Sequence, residues 1–458
     1  MYDLIVIGAG PCGIFTALEY KKINKDANII MFEKGRGLEN RVCPKRKTKK
    51  CVGCNPCNIT TGFSGAGAFS DGKLTLSTAV GGRIAEYVGE EKAMDVIGYV
   101  DNIYLSYGAD PTVYGANEMY DKFLEYQNDL SKHDLNLVYS PLRHLGTEKS
   151  FDIYKKMQDE LISLGVDIRF SSQVDEIIIE DNKAKGVVVK GDTYLSNKVV
   201  VAVGREGSEW LSKECINKGI NKKSTAVDIG VRVEVKDEIL SEINKDLYES
   251  KIIHYTKTFN DKVRTFCQNP SGIVSTEYYE ENLAVANGHS YKEKELKTEN
   301  TNFALLVSLD INEPFDKPID YGKNIVRNAN MISGNKVIVQ RLGDLIKGQA
   351  TTKEALENNS VKYTLVDAYP GDLSLVLPYR VIKDLIEMFE ALDGAFNGMA
   401  MEDTLLYGVE VKFYSNEVIT DEKFESNIKG LYFGGDGSGH TRGLMQASAN
   451  GVMIARNL

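Results

Sequence analysis

A continuous apolar strand followed directly by a glycine-rich turn limits what this chain can fold into more than any other feature. Residues 4–7 read "LIVI", as in a strand buried on both faces, and "GAGPCG" (8–13) follows as G-x-G-x-x-G before the helical "IFTALEY". Gly8 permits the tight turn, Gly10 lets main chain approach a pyrophosphate, and Gly13 lets helix and strand pack closely. The pattern predicts a dinucleotide held at the N-terminus of the helix.

A second buried strand ends in an acid at the position that this interpretation requires. "NIIMFE" closes at Glu33, whose carboxylate is placed to accept hydrogen bonds from both hydroxyls of an adenosine ribose. The glycine motif alone would also fit an ordinary turn, but strand, glycines, helix, strand and acid in this order favour dinucleotide binding. The residues predicted to bind the cofactor here are Gly8, Gly10, Pro11, Cys12, Gly13, Glu33 and Lys34.

The segment "GLYFGGDGSGHTRGLMQ" (430–446) indicates which dinucleotide is bound. The segment consists of a strand, a glycine pair with Asp436 and a helix that begins near Arg442. This order resembles the corresponding segment of flavoproteins in which the aspartate binds the ribityl chain. The positive end of such a helix stabilises the negative charge that reduced flavin carries. The resemblance predicts FAD rather than NAD, with contacts from Gly435, Asp436, Gly443 and Leu444.

The region 163–204 is predicted to return the chain to the same sheet. It reads as a strand, two alternating strands and "VVVAVG", and the same flavoproteins place main chain at Val174 against adenine and pass Gly204 close to the cofactor. A hairpin in another kind of α/β protein is the alternative. A second strand–GxGxxG–helix unit is absent from the sequence, so we expect no dedicated Rossmann site for a nicotinamide.

Two further segments carry a family resemblance. Together with both ends of the chain, "GFSGAGAFSDGKLTL" (62–76) and "RHLGTEKS" (143–150) resemble the bacterial uncharacterised FAD-dependent dehydrogenase family, within the glutathione-reductase-like flavoproteins. The resemblance implies an α/β fold, with a discontinuous Rossmann-like FAD-binding domain of the glutathione-reductase-2 type and an inserted α+β substrate domain. It also implies that the flavin ring is lined by Gly65, Gly67, Ser70, Asp71 and Lys73, where an ordinary surface loop is the alternative.

The predicted domains are discontinuous. The FAD-binding domain takes 1–85, 135–215 and 405–458, a helical excursion takes 86–134, and the inserted substrate domain takes 216–404. Within the insert, "RVIKDLIEMFEAL" (380–392) repeats apolar residues at helical spacing, which predicts core rather than a site.

Four cysteines lie close together in a Cys-rich loop, 43–57, with C-x7-C-x2-C-x2-C spacing: Cys43, Cys51, Cys54 and Cys57. Zinc prefers two CxxC pairs separated by a longer loop. The overlapping C-x2-C-x2-C is common in iron–sulfur proteins, so a [4Fe–4S] cluster is favoured. Zinc, and free thiols or a redox disulfide without metal, remain open. A cluster here would lie near enough to the ring to pass electrons, or would be purely structural.

The chemistry on the substrate side is predicted from residue type. His440 and Arg442 flank the flavin-facing helix, Arg264 and Cys267 lie in "RTFCQNPSG", and Arg380 follows "LVLPY". Arginine suits a carboxylate and histidine suits proton delivery, but each residue also fits a salt bridge or a packed core group, and for Arg380 that alternative is the stronger.

These residues predict hydride or electron transfer between flavin and a small organic substrate, with a ferredoxin-like protein as a candidate electron donor. The alternative is an electron-transfer or redox-sensing protein that relays electrons to a protein partner. A flavin monooxygenase is a weaker third interpretation.

Composition excludes several other classes. The 458 residues predict two or three domains, and 42% hydrophobic with 26% charged residues is a soluble globular composition. A net charge of −10 argues against nucleic-acid binding. The sequence shows no apolar run of about 18 residues and no secretory signal, and its seven unevenly spread cysteines fit a reducing cytoplasm.

Overall fold

The structure is a computed structural model that describes most of the chain. The described residues are 1–44, 54–70, 72–116, 119–223, 227–247, 249–279, 283–290, 295, 297–309, 311, 315, 317–412 and 416–458. The chain divides into two compact units. The first comprises Met1–Val113, Ser140–Ser224 and Ser415–Leu458, and the second comprises Tyr114–Tyr139 and Thr225–Tyr414.

The strands, numbered along the chain, have the following bounds. They are β1 (Leu4–Ile7), β2 (Ile29–Phe32), β3 (Lys73–Thr75), β4 (Leu135–Leu137), β5 (Leu142–His144), β6 (Asp167–Arg169), β7 (Glu176–Glu180), β8 (Lys183–Val189), β9 (Asp192–Leu195), β10 (Val199–Val201), β11 (Lys222–Lys223), β12 (Val227–Lys236), β13 (Ile252–Tyr255), β14 (Lys262–Asn269), β15 (Ile273–Tyr279), β16 (Leu283–His289), β17 (Asn300–Leu309), β18 (Ile338–Arg341), β19 (Tyr369–Pro370), β20 (Leu405–Lys412), β21 (Glu417–Val418) and β22 (Leu431–Phe433).

The α-helices are numbered in the same way. They are α1 (Pro11–Ile23), α2 (Ile84–Val88), α3 (Glu90–Ser106), α4 (Tyr120–Ser131), α5 (Thr147–Ser163), α6 (Ser208–Lys218), α7 (Ser241–Leu247), α8 (Pro318–Ser333), α9 (Leu342–Ile346), α10 (Lys353–Glu357), α11 (Tyr379–Ala395) and α12 (Leu444–Asn457). Within the described ranges, no helix is both long enough and apolar enough to cross a membrane.

The first unit is built on a parallel sheet in the order β22-β10-β1-β2-β6. All residues of β1, β2, β10 and β22 are buried, as their continuous apolar runs predict for strands covered on both faces. Alternate side chains separate into two cores. Leu4 and Val6 pack with α1, α3, α5 and α12, whereas Ile5 and Ile7 pack with β7, β8 and α6.

The second unit is built on an eight-stranded sheet in the order β19-β18-β20-β12-β17-β14-β13-β4, antiparallel except for the β18–β19 pair. Every second residue of β12, from Val227 to Val235, enters one core. The apolar stripe of α11 enters the same core, which confirms the core predicted at helical spacing; its residues are Val381, Leu385, Met388, Phe389 and Leu392.

The structural division does not coincide with the predicted domain boundaries. Strands β4 and β20, predicted in the FAD-binding domain, pair with β13 and with β12 and β18 in the second unit. The predicted excursion 86–134 is also divided, because α3 lies in the first unit and α4 in the second. All eight residues of β20 are buried, and the residue pattern of a buried strand does not reveal which sheet the strand joins.

Candidate functional site

The glycine turn after β1 is shaped by two close approaches within the protein. Gly8 has φ +100, and a Cβ there would lie 2.7 Å from the carbonyl oxygen of Ala202. A Cβ on Gly13 would lie 2.0 Å from the carbonyl oxygen of Gly8. Strand and helix therefore meet as the motif requires, and these two glycines are explained by packing alone.

Gly10 is different, because none of the described residues requires a glycine there. Its backbone is extended, at φ −75 and ψ 179, and a Cβ would meet no atom of the described residues within 4 Å. At Gly204, after β10, a Cβ would likewise have no atom within 4 Å in the part of the chain that the structure describes. Both positions therefore leave room beside the main chain for a ligand. Pro11 begins α1, where its missing N–H costs nothing.

The Glu33 side chain ties the end of β2 to the glycine turn. It is buried; Oε2 accepts the backbone N–H of Ala9 at 2.9 Å, and Oε1 accepts that of Gly35 at 2.7 Å. A carboxylate has about four acceptor positions, so capacity remains for hydroxyl donors such as those of a ribose. Lys34 beside it is half-buried.

The segment after β6 runs beside Glu33. The N–H of Ser172 donates to the carbonyl oxygen of Glu33 at 2.9 Å, and the side chain of Val174 is buried in the core shared by β7 and β8. The main chain near Val174 is predicted to lie at adenine. It directly follows Ser172, which is bonded to the predicted ribose-binding residue Glu33.

The turn after β22 lies against the first turn of α1. A Cβ on Gly435 would lie 3.3 Å from Cβ of Cys12, and a Cβ on Gly437 would lie 2.8 Å from the carbonyl oxygen of Gly204. The Cys12 thiol is buried, and this burial raises its pKa to about 12. Cys12 therefore acts as a small packing residue here, as expected for a side chain inside the turn.

Asp436 is held by two neighbours in the first unit. Its Oδ1 accepts the hydroxyl of Thr441 at 2.8 Å, and its Oδ2 lies 3.6 Å from Nε of Arg205. Burial raises the pKa of Asp436, and the Arg205 charge opposes that increase. Arg205 was not predicted; its signal was a cation directly after Gly204.

The glycine-rich loop 62–70 lies beside the glycine turn after β1 and beside the start of α12. A Cβ on Gly65 would lie 3.9 Å from Cα of Gly10, and one on Gly67 would lie 3.1 Å from the Leu444 side chain. The Ser70 hydroxyl donates to the carbonyl oxygen of Gly67 at 3.0 Å. Lys73 lies in β3, and Asp71 is outside the described residues.

The N-terminus of α12 begins after Gly443, beside a second glycine pair that sequence reasoning missed. A Cβ on Gly443 would lie 3.3 Å from Cα of Gly81, and the backbone N–H of Arg442 donates to the Gly81 carbonyl at 2.8 Å. The Gln446 side chain fixes this segment by donating to the carbonyls of Thr78 and Val80 at 3.0 and 2.9 Å. The adjacent glycines at 81 and 82 were the available signal.

These contacts join the predicted cofactor residues at one edge of the parallel sheet. The glycine turn, Glu33, Gly204 and Asp436 follow β1, β2, β10 and β22, and the carboxyl ends of parallel strands share one edge. In open α/β sheets, ligands bind at that edge.

His440 fits the packed core alternative rather than proton delivery. It is fully buried, Nε2 is 2.9 Å from the carbonyl oxygen of Val418, and the ring lies edge-on to Tyr87 with centroids 4.9 Å apart. Burial lowers the pKa of the imidazole, so it is held neutral. Arg442, two residues on, is exposed.

The other three candidate catalytic residues belong to the second unit, where each has a structural role. Arg264 pairs with Asp228 at 2.6 Å, and Arg380 pairs with Asp261 at 2.8 Å. Cys267 has φ +49, and its carbonyl accepts Nη1 of the buried Arg232 at 3.0 Å. The salt-bridge alternative therefore fits both arginines.

The described cysteines do not form a metal site. Cys43 and Cys57 are half-buried free thiols and Cys54 is an exposed one, while Cys51 lies outside the described residues. Over the described part of the chain, no three His, Cys, Asp or Glu side chains are grouped to hold a metal ion. The spacing argument for a cluster therefore stays a prediction.

The base of the cysteine loop is nevertheless fixed by a buried cation. Arg41 donates from Nε to the carbonyl of Asn58 at 2.9 Å and from Nη2 to that of Ile59 at 2.6 Å. Asn58 in turn donates to the carbonyl of Val42 at 2.9 Å. The chain entering the loop at 41–42 is thus bonded to the chain leaving it at 58–59, although the burial lowers the pKa of Arg41 to about 10.

Residues 226–413 match the family model described as FAD-dependent protein, C-terminal domain-like. The match covers nearly all of the longer segment of the second unit. Over 99% of this chain and 80% of the relative, the sequence is 27% identical to an uncharacterized protein of Clostridium beijerinckii.

Solved structures give weaker similarities. The L-proline dehydrogenase of P. horikoshii is 13% identical over 99% of this chain and 92% of that chain, with a TM-score of 0.37. The glycine oxidase of Bacillus cereus is 12% identical over 99% and 94%, with a TM-score of 0.35. Scores this low do not assign a substrate.

Proposed function

We propose that this protein is an FAD-dependent oxidoreductase whose first unit binds the cofactor at the carboxyl edge of its parallel sheet. The match of the second unit to a family of FAD-dependent proteins supports the choice of cofactor. When bound, the flavin supplies hydride and electron transfer. The rest of the proposal concerns what the residues of this chain do.

Each predicted residue has a role that its surroundings allow. Glu33 accepts hydrogen bonds from the adenosine ribose with the capacity left by Ala9 and Gly35. Gly10 and the N-terminus of α1 receive the pyrophosphate, and Asp436 accepts from the ribityl chain. The positive N-terminus of α12 favours the negative charge of the reduced ring.

The open space at Gly10 is the observation that carries the proposal. Neither backbone geometry nor packing among the described residues requires a glycine at position 10, whereas packing does require the glycine at position 8, and this difference points to a ligand that approaches main chain. Gly10 is also the N-cap of α1, where serine is at least as favourable as glycine. Gly10→Ser therefore adds a side chain to the ligand space without disturbing the fold.

The test compares Gly10→Ser with Gly13→Ala. We expect Gly10→Ser apoprotein to unfold within about 0.5 kcal/mol of wild type, while its Kd for FAD rises at least tenfold. Gly13→Ala should lose about 1–3 kcal/mol of folding stability, because its Cβ overlaps the Gly8 carbonyl. Wild-type protein that neither retains FAD nor is stabilised by it would overturn the proposal, as would unchanged FAD affinity in Gly10→Ser.

The finer features of the function extend the same proposal. A small organic substrate, a ferredoxin-like electron donor and a [4Fe–4S] cluster at the four cysteines rest on sequence pattern and resemblance, and the cluster is tested by the metal analysis given below.

A further inference from the structure

Asn450 links the two turns that the proposed function assigns to the ADP half and to the flavin-side half of FAD. It lies in α12 and is fully buried. Its Oδ1 accepts the backbone N–H of Gly435 at 2.9 Å and the thiol of Cys12 at 3.9 Å. Gly435 belongs to the turn after β22, and Cys12 belongs to the G-x-G-x-x-G turn after β1.

The surroundings of Asn450 leave the side chain little freedom. A Cβ on Gly434 would lie 2.6 Å from Oδ1 of Asn450 and 2.7 Å from Sγ of Cys12. A Cβ on Gly451 would lie 2.2 Å from the Cys12 carbonyl oxygen, so α1 and α12 are in close contact at this level. The amide is therefore held at a fixed distance from both turns.

The amide also carries a cost that an apolar side chain would avoid. Its Nδ2 has no hydrogen-bond partner among the described residues. A buried unsatisfied donor is unfavourable, and a leucine of similar shape would not have it. Because Nδ2 has no partner among the described residues, we attribute the presence of an asparagine here to Oδ1 and its hydrogen bond to Gly435.

We propose that Asn450 is a positioning residue for the cofactor, which holds the Gly435–Asp436 turn in place beside the first turn of α1. The inference rests on the proposed function. Asn450 contacts the turn that holds Asp436, so it acts on the flavin-side half of FAD through Asp436. The ADP half is bound by the turn at Gly10 and by Glu33, which keep their own contacts.

The experiment measures Kd for FAD and for ADP on apoprotein of wild type, Asn450→Leu and Asn450→Ala. We expect both variants to bind FAD at least tenfold more weakly and ADP within about twofold of wild type. The unfolding temperature of each apoprotein is measured in parallel, and circular dichroism checks that it is folded.

Thr16→Val is the matched control. The Thr16 hydroxyl donates to the carbonyl of Cys12 at 2.8 Å and of Gly451 at 3.2 Å, so it joins the same two helices without contacting Gly435. We expect this variant to have a lower unfolding temperature and to change FAD and ADP affinity by the same factor.

The outcomes separate this inference from the proposed function. Wild-type protein that binds ADP but shows no preference for FAD would overturn the proposed function. Wild type that binds FAD tightly, with Asn450→Leu and Asn450→Ala binding it equally well, would overturn only the role of Asn450. Equal weakening of FAD and ADP in both variants would also overturn it, because that result indicates general loosening of the helix contact.

Discussion

Arg232 and Glu410 form a bidentate ion pair inside the second unit, and both side chains are fully buried. Nε and Nη2 of the arginine lie 2.8 and 3.0 Å from the two carboxylate oxygens. Lys412 adds a second cation 2.9 Å from Glu410. One carboxylate thus pairs with two cations, which lie on neighbouring strands.

Removing that carboxylate should destabilise the second unit strongly. We expect Glu410→Ala to lower the free energy of unfolding by about 3–5 kcal/mol, because a buried guanidinium is left without its anion. The double variant Arg232→Met/Glu410→Leu should recover part of that loss, since it removes the guanidinium together with the carboxylate, although Lys412 still loses this partner. Urea unfolding at pH 7 measures both variants. A loss below about 1 kcal/mol in Glu410→Ala would contradict the prediction.

The carboxyl group of Asp384 should make stability fall as pH rises. It is fully buried in α11, and burial together with the nearby Asp261 raises its pKa to about 6, although Arg380 opposes the shift. Between about pH 4 and 6, the folded protein keeps a proton that the unfolded chain has released, so the free energy of unfolding decreases through this window.

Asp384→Asn should remove up to about 3 kcal/mol of that decrease. The measurement is the unfolding temperature from pH 4 to 7.5 for wild type and for this variant, with exposed Asp129→Asn as the control. A pH profile of Asp384→Asn parallel to that of wild type would show that Asp384 is not the group responsible.

Glu33→Ala should weaken FAD binding by about 1–3 kcal/mol, the loss of charged hydrogen bonds to the ribose. The variant should also lower the stability of the apoprotein, because the buried N–H groups of Ala9 and Gly35 lose their acceptor. Flavin fluorescence during titration measures the affinity. Glu176→Ala, at an exposed carboxylate paired with Lys218, is the control and should bind like wild type. Equal affinity in both variants would place the ribose elsewhere.

Metal analysis decides between the interpretations of the four cysteines. If the spacing is that of a [4Fe–4S] site, protein prepared without oxygen should hold about four irons and four sulfides per chain, with a broad absorption shoulder near 400 nm. Cys54→Ser should abolish the shoulder, whereas Cys215→Ser, at a buried cysteine in α6, should leave it. One zinc without sulfide would contradict the cluster assignment and leave the FAD proposal intact.

The positions of the predicted cofactor residues after the strands of the parallel sheet could be predicted because the information is local. The residues of the glycine turn are consecutive in the chain, and Gly10, Glu33 and Asp436 each follow a strand whose apolar run is readable. The sheet that β4 and β20 join could not be predicted, because the strands that pair with them lie far away in the sequence. The roles of His440, Arg264 and Arg380 could not be predicted either. The residue type is the same whether a side chain packs in the core, forms a salt bridge or contacts a ligand.

Gln446 and Asn450 were missed for a related reason. Both act through carbonyl and amide groups of distant loops, and a polar residue inside an otherwise apolar helix is only a general sign of burial. A structure is needed to show that their partners belong to the turns around the proposed cofactor edge.

The order of strands in the parallel sheet has a consequence for synthesis of the protein on the ribosome. β1 is made within the first seven residues, but β22, which completes the sheet and carries the turn with Asp436, is made some 420 residues later. The parallel sheet of the first unit therefore stays incomplete until the second unit has been translated. Until then β10 is unpaired on the side where β22 later pairs with it. We expect a fragment that ends near residue 412, once it is released from the ribosome, to contain a folded second unit and to lack FAD binding, and such exposed strand edges are where a chaperone would act.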